Sequence, residues 1–541
     1  MKQLERRKHG MTSTFHGLET ARRAMTTQQT ALYTTGHNIA NANTQGYTRQ
    51  RVNFSATEPM PPASLNAPRI PGQIGTGVEA GSVQRVQEHF LNVQYHGESA
   101  KAGYWDSVYT SLEKMEDIMN EPTEDGINQT LDRFWNSLQD LNANPQDSGA
   151  RAVVRQNGIA VAEVFNYTAD SLKAIQRDIK ADINTTTNQV NSLLQQINEI
   201  NKQVSSMEPH GYLPNDLYDE RDRLIDELSA IANIQIEKEP SGGQAKSSAE
   251  GSFTIYLADG DGNQITKLVD GANHDFRQMQ IQYDSEDRTA PVSAMTLAWD
   301  NGAWVDGEAL DGPINDLSFL DSPGKMKGLV AAYGHTENGE VRGTYPDMLT
   351  ELDLMVTTFV EAFNEVHEAG WTLNDIRNEE KGEPISFFTF AEPTANKSGA
   401  SQLLQISDEI KNSLNHIAAA APTGNPAIAF AGDGSNALAL ANVKDLPLDF
   451  GGNDTNVQSF YQSIIGDMAV ATNEANRMKN NSAALRDNID HRRQSVSSVS
   501  LDEEMTNMIQ FQHAYNAAAR NITTIDEMLD RIINGMGIVG R

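Results

Sequence analysis

A glycine-containing segment near the start of the chain could, by its residue types, bind a phosphate group. It covers residues 75–81 and has the sequence GTGVEAG, with glycines at the spacing G-x-G-x-x-x-G. A dinucleotide-binding loop needs G-x-G-x-x-G between a strand and a helix, and the carboxylate of Glu79 would repel a phosphate here. We therefore interpret the segment as a structural turn that leads into a hairpin.

A second segment carries acidic side chains at the spacing of a calcium-binding loop. Asp259, Asp261 and Asn263 occupy alternate positions, and Asp270 stands at the last position of such a loop. However, Gln264 replaces the glycine that the sharp turn of the loop requires, and no helices are predicted on either side. The sequence favours an acidic hairpin tip, and weak Ca²⁺ binding at Asp259 and Asp261 stays open as the alternative.

The sequence contains no recognisable catalytic motif. The histidines are scattered, and neither an H-E-x-x-H, a G-x-S-x-G nor a Walker segment occurs. Asp219 and Glu220 are adjacent acids, but Arg221 and Arg223 follow on the same predicted helix, which favours solvated ion pairs over a general acid and base. We predict that the protein is not an enzyme and that it uses no cofactor, catalytic residue or bound metal.

Charge and composition exclude further classes of function. A formal net charge of −31 at pH 7 argues against nucleic-acid binding, and the absence of cysteine excludes disulfides and thiolate chemistry. No apolar run reaches the roughly 18 residues of a membrane span, so we predict no membrane insertion. Residues 1–10 are basic, but no apolar segment follows them. We expect them to be a start-site extension before Met11 and not a signal peptide.

The elements that organise the chain are two helices at its ends. Over residues 501–533, apolar residues recur every three or four positions, which is typical of one narrow coiled-coil seam. The seam consists of Leu501, Met508, Phe511, Tyr515, Ile522, Ile525, Leu529 and Ile532. Ser500 and Glu503 match a capping box at the start of this helix. So long a seam requires a partner helix.

A matching seam lies over residues 18–39. It consists of Leu18, Met25, Leu32 and Ile39, seven apart, with Ala21, Ala24, Ala31 and Thr35 between them. This helix is expected to end in an asparagine-rich turn, because asparagine and glycine tolerate left-handed backbone. The turn contains Asn38, Asn41, Asn43, Gly46 and Tyr47. We expect the two terminal helices to pair with each other.

Between the ends, the pattern changes from helical to β and back. Apolar residues at helical spacing occupy residues 90–231, including one very long helix between Leu172 and Val204. From about residue 240 to 345, short alternating runs separated by Asp-Gly and Asn-Gly pairs predict antiparallel hairpins. Helical spacing then returns on both sides of a loop-rich part at 384–450. The sequence thus predicts a mainly α, elongated multidomain protein with an antiparallel β insertion.

These patterns divide the chain into three nested domains. Residues 1–60 with 500–541 would form a terminal coiled-coil domain, residues 61–235 with 346–499 a helical domain, and residues 236–345 a β-rich outer domain. The serine-rich segment 495–500 breaks the helical phase just before the last helix. We interpret this segment as a hinge.

Several motifs resemble those of the FlgK family of bacterial flagellar hook-associated proteins. The N-terminal signature is matched by residues 38–50, NIANANTQGYTRQ, and the C-terminal signature by residues 501–520. Further motifs are residues 75–78 with Arg85, Asn144 with Pro145, residues 215–222 (NDLYDERD), and residues 363–367 (FNEVH) with Gly370. Gln45 and Ser498 depart from the pattern, at positions where the family commonly has proline and glycine. The resemblance is weak over 240–345 and 385–450.

The resemblance implies a structural protein at the junction between flagellar hook and filament, in the extracellular axial structure. It implies export of the unfolded chain through the flagellar type III apparatus with a chaperone. It also implies self-assembly into a ring or short helical layer, in contact with the hook protein and the second hook-associated protein. The seam and turn residues named above would form the assembly interface.

Two alternatives remain open. One is another flagellar axial protein, such as a hook, rod or second junction protein. The other is a peptidoglycan hydrolase carried on such a scaffold, although residues 236–345 place no convincing pair of carboxylates.

The terminal helix pair is expected to be only marginally stable in a single chain. Ordering about 33 helical residues costs backbone entropy that the burial of one narrow seam barely offsets. We therefore expect residues 11–60 and 500–541 to be mobile in the free monomer and to become ordered against neighbouring subunits. The competing interpretation is an ordinary folded helical hairpin.

Overall fold

The computed structural model describes residues 14–60, 73–119, 126–300, 320–392, 398–424, 428–452 and 454–535. Over these residues the chain is mainly helical with a smaller share of β-sheet, as the sequence predicted. None of the described helices is both long and apolar enough to cross a membrane. The interpretation of residues 1–10 as an extension lies outside the described residues.

The chain begins with one helix and one hairpin. The elements are α1 (Thr14–Ala40), β1 (Gln50–Ala56) and β2 (Val78–Arg85). β1 and β2 are antiparallel over their whole length, with a bulge at Asn53 and Phe54. The glycine-containing segment therefore leads into a hairpin strand, as predicted. Residue 60, the predicted limit of the terminal coiled-coil domain, lies between these two strands.

Four helices follow and form much of the helical body. They are α2 (His89–Met119), α3 (Ile127–Ala143), α4 (Ser148–Met207) and α5 (Asn215–Ile231). α4 has 60 residues and begins well before Leu172, where the predicted long helix started. Its first turns bury Val154, Val161 and Phe165 at helical spacing, so the apolar pattern extends further toward the N-terminus than the predicted start.

A seven-stranded sheet follows, with its strands in chain order. Its elements are β3 (Ile234–Glu239), β4 (Ser252–Ala258), β5 (Gln264–Asp270), β6 (Asp275–Tyr283), β7 (Val292–Trp299), the intervening α6 (Lys325–Tyr333), β8 (His335–Glu337) and β9 (Glu340–Arg342). Neighbouring strands are antiparallel except β7 and β8, which are parallel. Asn191 and Asn201 of α4 donate to backbone carbonyls of β6 and β4, and Asn198 donates to the carbonyl of His274 in the β5–β6 turn. These bonds fix the sheet to the body.

A long helix then returns the chain to the body, and short elements follow it. They are α7 (Thr344–Ala369), α8 (Leu373–Asn378), β10 (Phe388–Phe390), α9 (Ala400–Leu403), β11 (Leu404–Ile406), α10 (Asp408–Asn412), α11 (Ser435–Asn442), β12 (Leu448–Asp449) and β13 (Asp454–Thr455). An aromatic cluster from α3, α7 and β10 lies in the core. Its rings contact one another, with 5–6 Å between ring centroids. The cluster includes Phe134, Trp135, Phe359, Phe363 and Phe388.

The motif at residues 363–370 has a structural purpose in this region. Asn364 accepts from the backbone N–H groups of the strand residues beside it, and His367 Nδ1 lies 2.7 Å from the carbonyl oxygen of Ile385. His367 Nε2 accepts from the N–H of Ala418. A Cβ at Gly370 would lie 2.1 Å from Nδ2 of Asn436, so only glycine fits there. The motif therefore holds the loop-rich part onto α7.

Two long helices complete the described chain. α12 (Val457–Ser497) packs against α2, and α13 (Leu501–Gly535) packs against α1. Each of these two helices from the C-terminal end thus packs on a helix from the N-terminal end. The division into three nested domains stays a prediction.

Candidate assembly interface

The first and last helices lie side by side in opposite directions. Near one end of the pair, Asn38 of α1 donates to Glu504 of α13 at 3.1 Å. Near the other end, a Cβ at Gly17 would lie 3.2 Å from the side chain of Ile525. The hairpin covers the same pair, because Phe54 of β1 meets Phe511 edge to face with ring centroids 5.9 Å apart.

The predicted seam residues are not equally buried between these helices. On α1 the small side chains of Ala21, Ala31 and Thr35 are buried. The larger seam residues of α1 are half-buried, at Leu18, Met25, Leu32 and Ile39. On α13 one small residue, Ala518, is buried, and the half-buried seam residues are Met508, Phe511, Tyr515, Ile522, Ile525 and Leu529. Small side chains therefore fill the contact line, and larger ones flank it with part of their surface in water.

Two predicted seam residues lie elsewhere. Leu501 and Ile532 are exposed, so in this single chain they do not lie between the two helices. They belong to a set of exposed apolar residues near the two ends of α13, which we call the outer row. The outer row consists of Leu501, Met505, Ile509, Met528, Ile532 and Ile533, all exposed. On α1, Phe15 and Tyr33 are exposed too, Tyr33 to 70%.

Asn38 is the polar centre at the end of the helix pair that adjoins the asparagine-rich turn and the start of α13, which we call the joint end. It is fully buried, and its amide uses both ends. Nδ2 donates to the carbonyl oxygen of Gln50 and to Glu504, at 2.8 and 3.1 Å. Oδ1 accepts from the N–H of Gln50 and from the hydroxyl of Tyr47, at 3.0 and 2.8 Å. One side chain thus joins α1, the turn after it, strand β1 and helix α13.

The other residues of the asparagine-rich turn shape it. Tyr47 donates to Asn38, so its oxygen accepts from Nδ1 of His37 at 3.0 Å. Burial, together with the nearby carboxylates of Asp219, Asp216 and Glu504, raises the pKa of Tyr47, which keeps its hydroxyl protonated. Asn41 accepts from Thr44 within the turn, and Gly46 adopts a left-handed φ of 81°. Asn43 is exposed.

Arg49 connects the turn to the start of α13. Its Nη1 and Nη2 donate to the two oxygens of Glu503 at 3.0 and 2.8 Å, and Nε donates to Glu504 at 2.8 Å. These bonds raise the pKa of Arg49 and lower that of Glu503. Glu503, expected to complete a capping box with Ser500, thus directs both carboxylate oxygens to Arg49. Its ion pair replaces the reciprocal cap.

A buried charge network joins the β1–β2 hairpin to α5. Arg85 donates to Asp219, Asp222 and Glu250, and its side chain is almost fully buried. Arg221, also fully buried, donates to Glu250. Only some charges of this helix are therefore solvated.

The prediction of solvated ion pairs on α5 was wrong for two of its four residues. Asp219 and Arg221 are buried, whereas Glu220 and Arg223 form the exposed pair that was expected. Burial raises the pKa of Asp219, and Arg85 opposes that shift. The error arose because one face of the helix packs under the hairpin, a placement that adjacent charged residues do not reveal.

The break before α13 is shorter than the predicted hinge. α12 continues through Ser497, whose hydroxyl bonds the carbonyl of Arg493 in the helical manner. Only Ser498, Val499 and Ser500 lie between α12 and α13. We call these three residues the linker.

The acidic segment at residues 259–263 forms a hairpin tip between β4 and β5, as predicted. Asp259 accepts from the backbone N–H groups of Asp261 and Asn263 and from the Asn263 amide, so its oxygens serve the turn. Gly262 takes the left-handed φ of 88° that the tip requires. Over the described ranges, no three histidine or acidic side chains group closely enough to hold a metal ion.

Sequence reasoning missed the polar side chains that connect the interface to the body. Arg49 and Gln50 were noted only as part of a signature, although Gln50 donates to Asp216 and accepts from Asn215. Glu504 was noted only as part of the C-terminal signature, yet it is buried. A usable signal was present, since polar residues that cluster directly after a helix end often bond across a turn.

The chain matches three families that are named for flagellar proteins. The flagellar hook-associated protein FlgK helical domain matches residues 112–385. The flagella basal body rod protein family matches residues 18–48, and the C-terminal family of the flagellar basal body rod proteins FlgEFG matches residues 493–535. The two terminal matches include α1 and α13.

Individual proteins agree with these families. The flagellar hook-associated protein 1 of Bacillus subtilis is 44% identical over 98% of this chain and 100% of its own length. The Escherichia coli protein of the same name is 25% identical over 94% of this chain and 97% of its own length.

A solved structure, the flagellar hook junction protein FlgK from Burkholderia pseudomallei, has a similar fold, with a TM-score of 0.56 and 13% identity over 75% of this chain and 100% of that one. The chain belongs to the FlgK family of flagellar hook-associated proteins.

Proposed function

We propose that this protein is a structural subunit of the flagellum at the junction between hook and filament. Relatives that match it over nearly their full length are named as flagellar hook-associated proteins. In this proposal it is exported unfolded through the flagellar type III apparatus with the help of a chaperone. It then lies in the extracellular axial structure, between the hook protein and the second hook-associated protein, and performs no catalysis.

The observation that carries this proposal is the outer row on α13. α13 packs on α1, and the outer row stays in water near both ends of the helix. Exposed apolar rows on a helix are typical of surfaces that bury against another protein. We assign the outer row, with Phe15 and Tyr33 of α1, to contacts with neighbouring copies in a ring or short helical layer. The inner faces would pair α1 and α13 as a coiled coil.

The contacts of the hairpin support a revised division into domains. β1 and β2 pair with each other, and Phe54 packs on α13, so we assign residues 78–85 to the terminal domain together with residues 14–56 and 501–535. The helical body then begins at α2 and ends with α12. The sheet of β3 to β9 is the outer domain, and in an elongated subunit it would face away from the axis.

Gene deletion and complementation test the function. We expect deletion to leave hooks without filaments, with filament subunits lost to the medium, as seen by electron microscopy. Wild-type protein should restore filaments. The double variant Met505→Glu with Ile509→Glu should not restore them, because charges in the outer row oppose burial against a neighbour. Filaments of normal number with this variant would contradict the proposed interface.

A matched control separates assembly from folding. Thr506→Glu with Gln510→Glu places two charges at the same spacing on the adjacent polar face of α13, where both residues are exposed. This control should restore filaments. Both double variants should keep wild-type helicity as purified monomers, because all four positions are exposed.

A further inference from the structure

The linker between α12 and α13 has little packing of its own. Of the linker residues, Ser498 and Ser500 are exposed, and Ser498 has extended backbone with φ −75° and ψ 156°. A cleft of about 820 Å³ lies beside the linker, between the asparagine-rich turn, α2, α5 and the end of α12. Apolar contacts therefore do not by themselves set the angle between α12 and α13.

Arg49 contacts both sides of this junction. Its backbone N–H donates at 2.8 Å to the carbonyl oxygen of Ser497, the last residue of α12. Its guanidinium donates to Glu503 and Glu504 in the first turn of α13. One residue thus binds the end of one helix and the start of the next, across the three residues of the linker.

We propose that Arg49 is a latch that fixes the direction in which the terminal helix pair leaves the body. The two carboxylates have separate roles in it. Glu503 is 56% exposed and pairs with both terminal nitrogens of Arg49, and this planar, two-bond geometry restricts orientation. Glu504 is buried, with Arg49 and Asn38 as its donors.

Removal of Arg49 would leave the buried carboxylate of Glu504 without a cation. A buried charge without its partner is strongly unfavourable, and rotation of α13 about the linker would hydrate it. The latch therefore keeps the junction closed, and loss of its charge opens it. This inference concerns the conformation of a single chain, so its test does not require the proposed function in assembly to be correct.

Distance measurements between spin labels test the latch. The chain has no cysteine, so Asn481→Cys on α12 and Gln512→Cys on α13, both exposed, accept labels at two defined sites. Pulsed electron–electron double resonance on the full chain gives the distribution of distances between the two labels across the junction. We expect one narrow distribution for the labelled wild type. With Arg49→Gln, the distribution should become at least twice as wide.

Two further variants make the result specific. Arg51→Gln removes an exposed charge two residues further along the chain, in β1, and should leave the distribution unchanged. Arg49→Gln with Glu504→Gln removes the buried charge as well, so the distribution should become narrow again. Equal widths for Arg49→Gln and Arg51→Gln would overturn the latch, as would a double variant as wide as Arg49→Gln.

Arg49→Lys covers the case in which Arg49→Gln does not fold, as judged by circular dichroism. Lysine keeps the charge but cannot bind both carboxylates in the same geometry. An intermediate width is then expected, and a wild-type width would overturn the proposal.

Discussion

At the scale of single residues, the terminal unit depends on a few buried polar side chains more than on its apolar seam. Asn38 uses both ends of its amide, and each of its partners belongs to a different segment. Buried polar groups of this kind stabilise a structure only when all of them are paired. The loss of one member therefore affects several others.

Asn38→Ala is expected to destabilise the terminal unit by at least about 2 kcal/mol, because one oxygen of Glu504 and the backbone N–H and C=O of Gln50 lose their buried partner. Native-state hydrogen exchange should show the amide of Gln50, which donates to Asn38, exchanging roughly 30-fold faster. Asn43→Ala, at an exposed position in the same turn, is the control and should leave exchange unchanged. Equal rates in the two variants would contradict this assignment.

His367 predicts a pH dependence for the helical body. Burial lowers its pKa from 6.5 to about 4. Below pH 6.5 His367 binds a proton in the unfolded chain, whereas in the folded chain it stays neutral until the pH falls to about 4. Stability should therefore decrease as the pH falls through this window, by up to about 3 kcal/mol at pH 4.

Urea unfolding between pH 7 and pH 4 measures this effect. His367→Gln should lose stability at pH 7, because the hydrogen bonds to Ile385 and Ala418 are disturbed, and should show a smaller decrease toward pH 4. His89→Gln, at an exposed position, should keep the wild-type pH dependence. A parallel decrease in wild type and His367→Gln would exclude His367 as the source.

At the scale of elements, the terminal pair is held firmly at one end only. The joint end carries Asn38, Arg49 and the buried Glu504. The distal end, around Ile522 and Leu529, has only half-buried apolar contacts on a narrow seam. The mobility that the sequence predicted for both terminal segments is therefore expected mainly at this distal end.

Amide hydrogen exchange on the soluble monomer tests this gradient along α13. Amides near Ile522 and Leu529 should exchange rapidly, and amides just after Glu504 should be slower by at least tenfold, because only the joint end is held by buried polar bonds. In the assembled axial structure, protection should extend to the distal end. Strong protection at Ile522 and Leu529 in the monomer would favour an ordinary folded hairpin.

The helices were predictable from the sequence where apolar residues repeat regularly. α1 and α13 begin and end within a few residues of the predicted limits, because their seams persist over many turns. The start of α4 was predicted too late, although Val154, Val161 and Phe165 continue the apolar spacing, because Arg151 and Gly158 interrupt that face. The roles of Arg49 and Glu504 depend on pairing across more than 450 residues, which local spacing cannot encode.

At the scale of the whole molecule, folding of the helical body should depend on α12 but not on α13. α12 buries an apolar face against the body, including Phe460, Tyr461 and Ile464. α13 buries little against the body and packs mainly on α1. The body should therefore fold without α13, but not without α12.

Two truncations test this dependence. A chain that ends at residue 498 should keep a cooperative thermal transition of the body, with a Tm within a few degrees of the full chain, and should fail to restore filaments. A chain that ends at residue 456 should lose this transition, because the face of α2 that packs on α12 becomes exposed. A body that melts normally without α12 would contradict this order of dependence.

The antiparallel pairing of α1 with α13 also has a consequence for the time course of folding. The contact between Gly17 and Ile525 closes a loop that contains nearly the whole chain, and such long-range contacts form late because they first require loop closure. Whichever end of the chain becomes available first, α1 and α13 therefore cannot pair until both helices are available. The proposed assembly surface would thus be completed last, after the body has had time to fold.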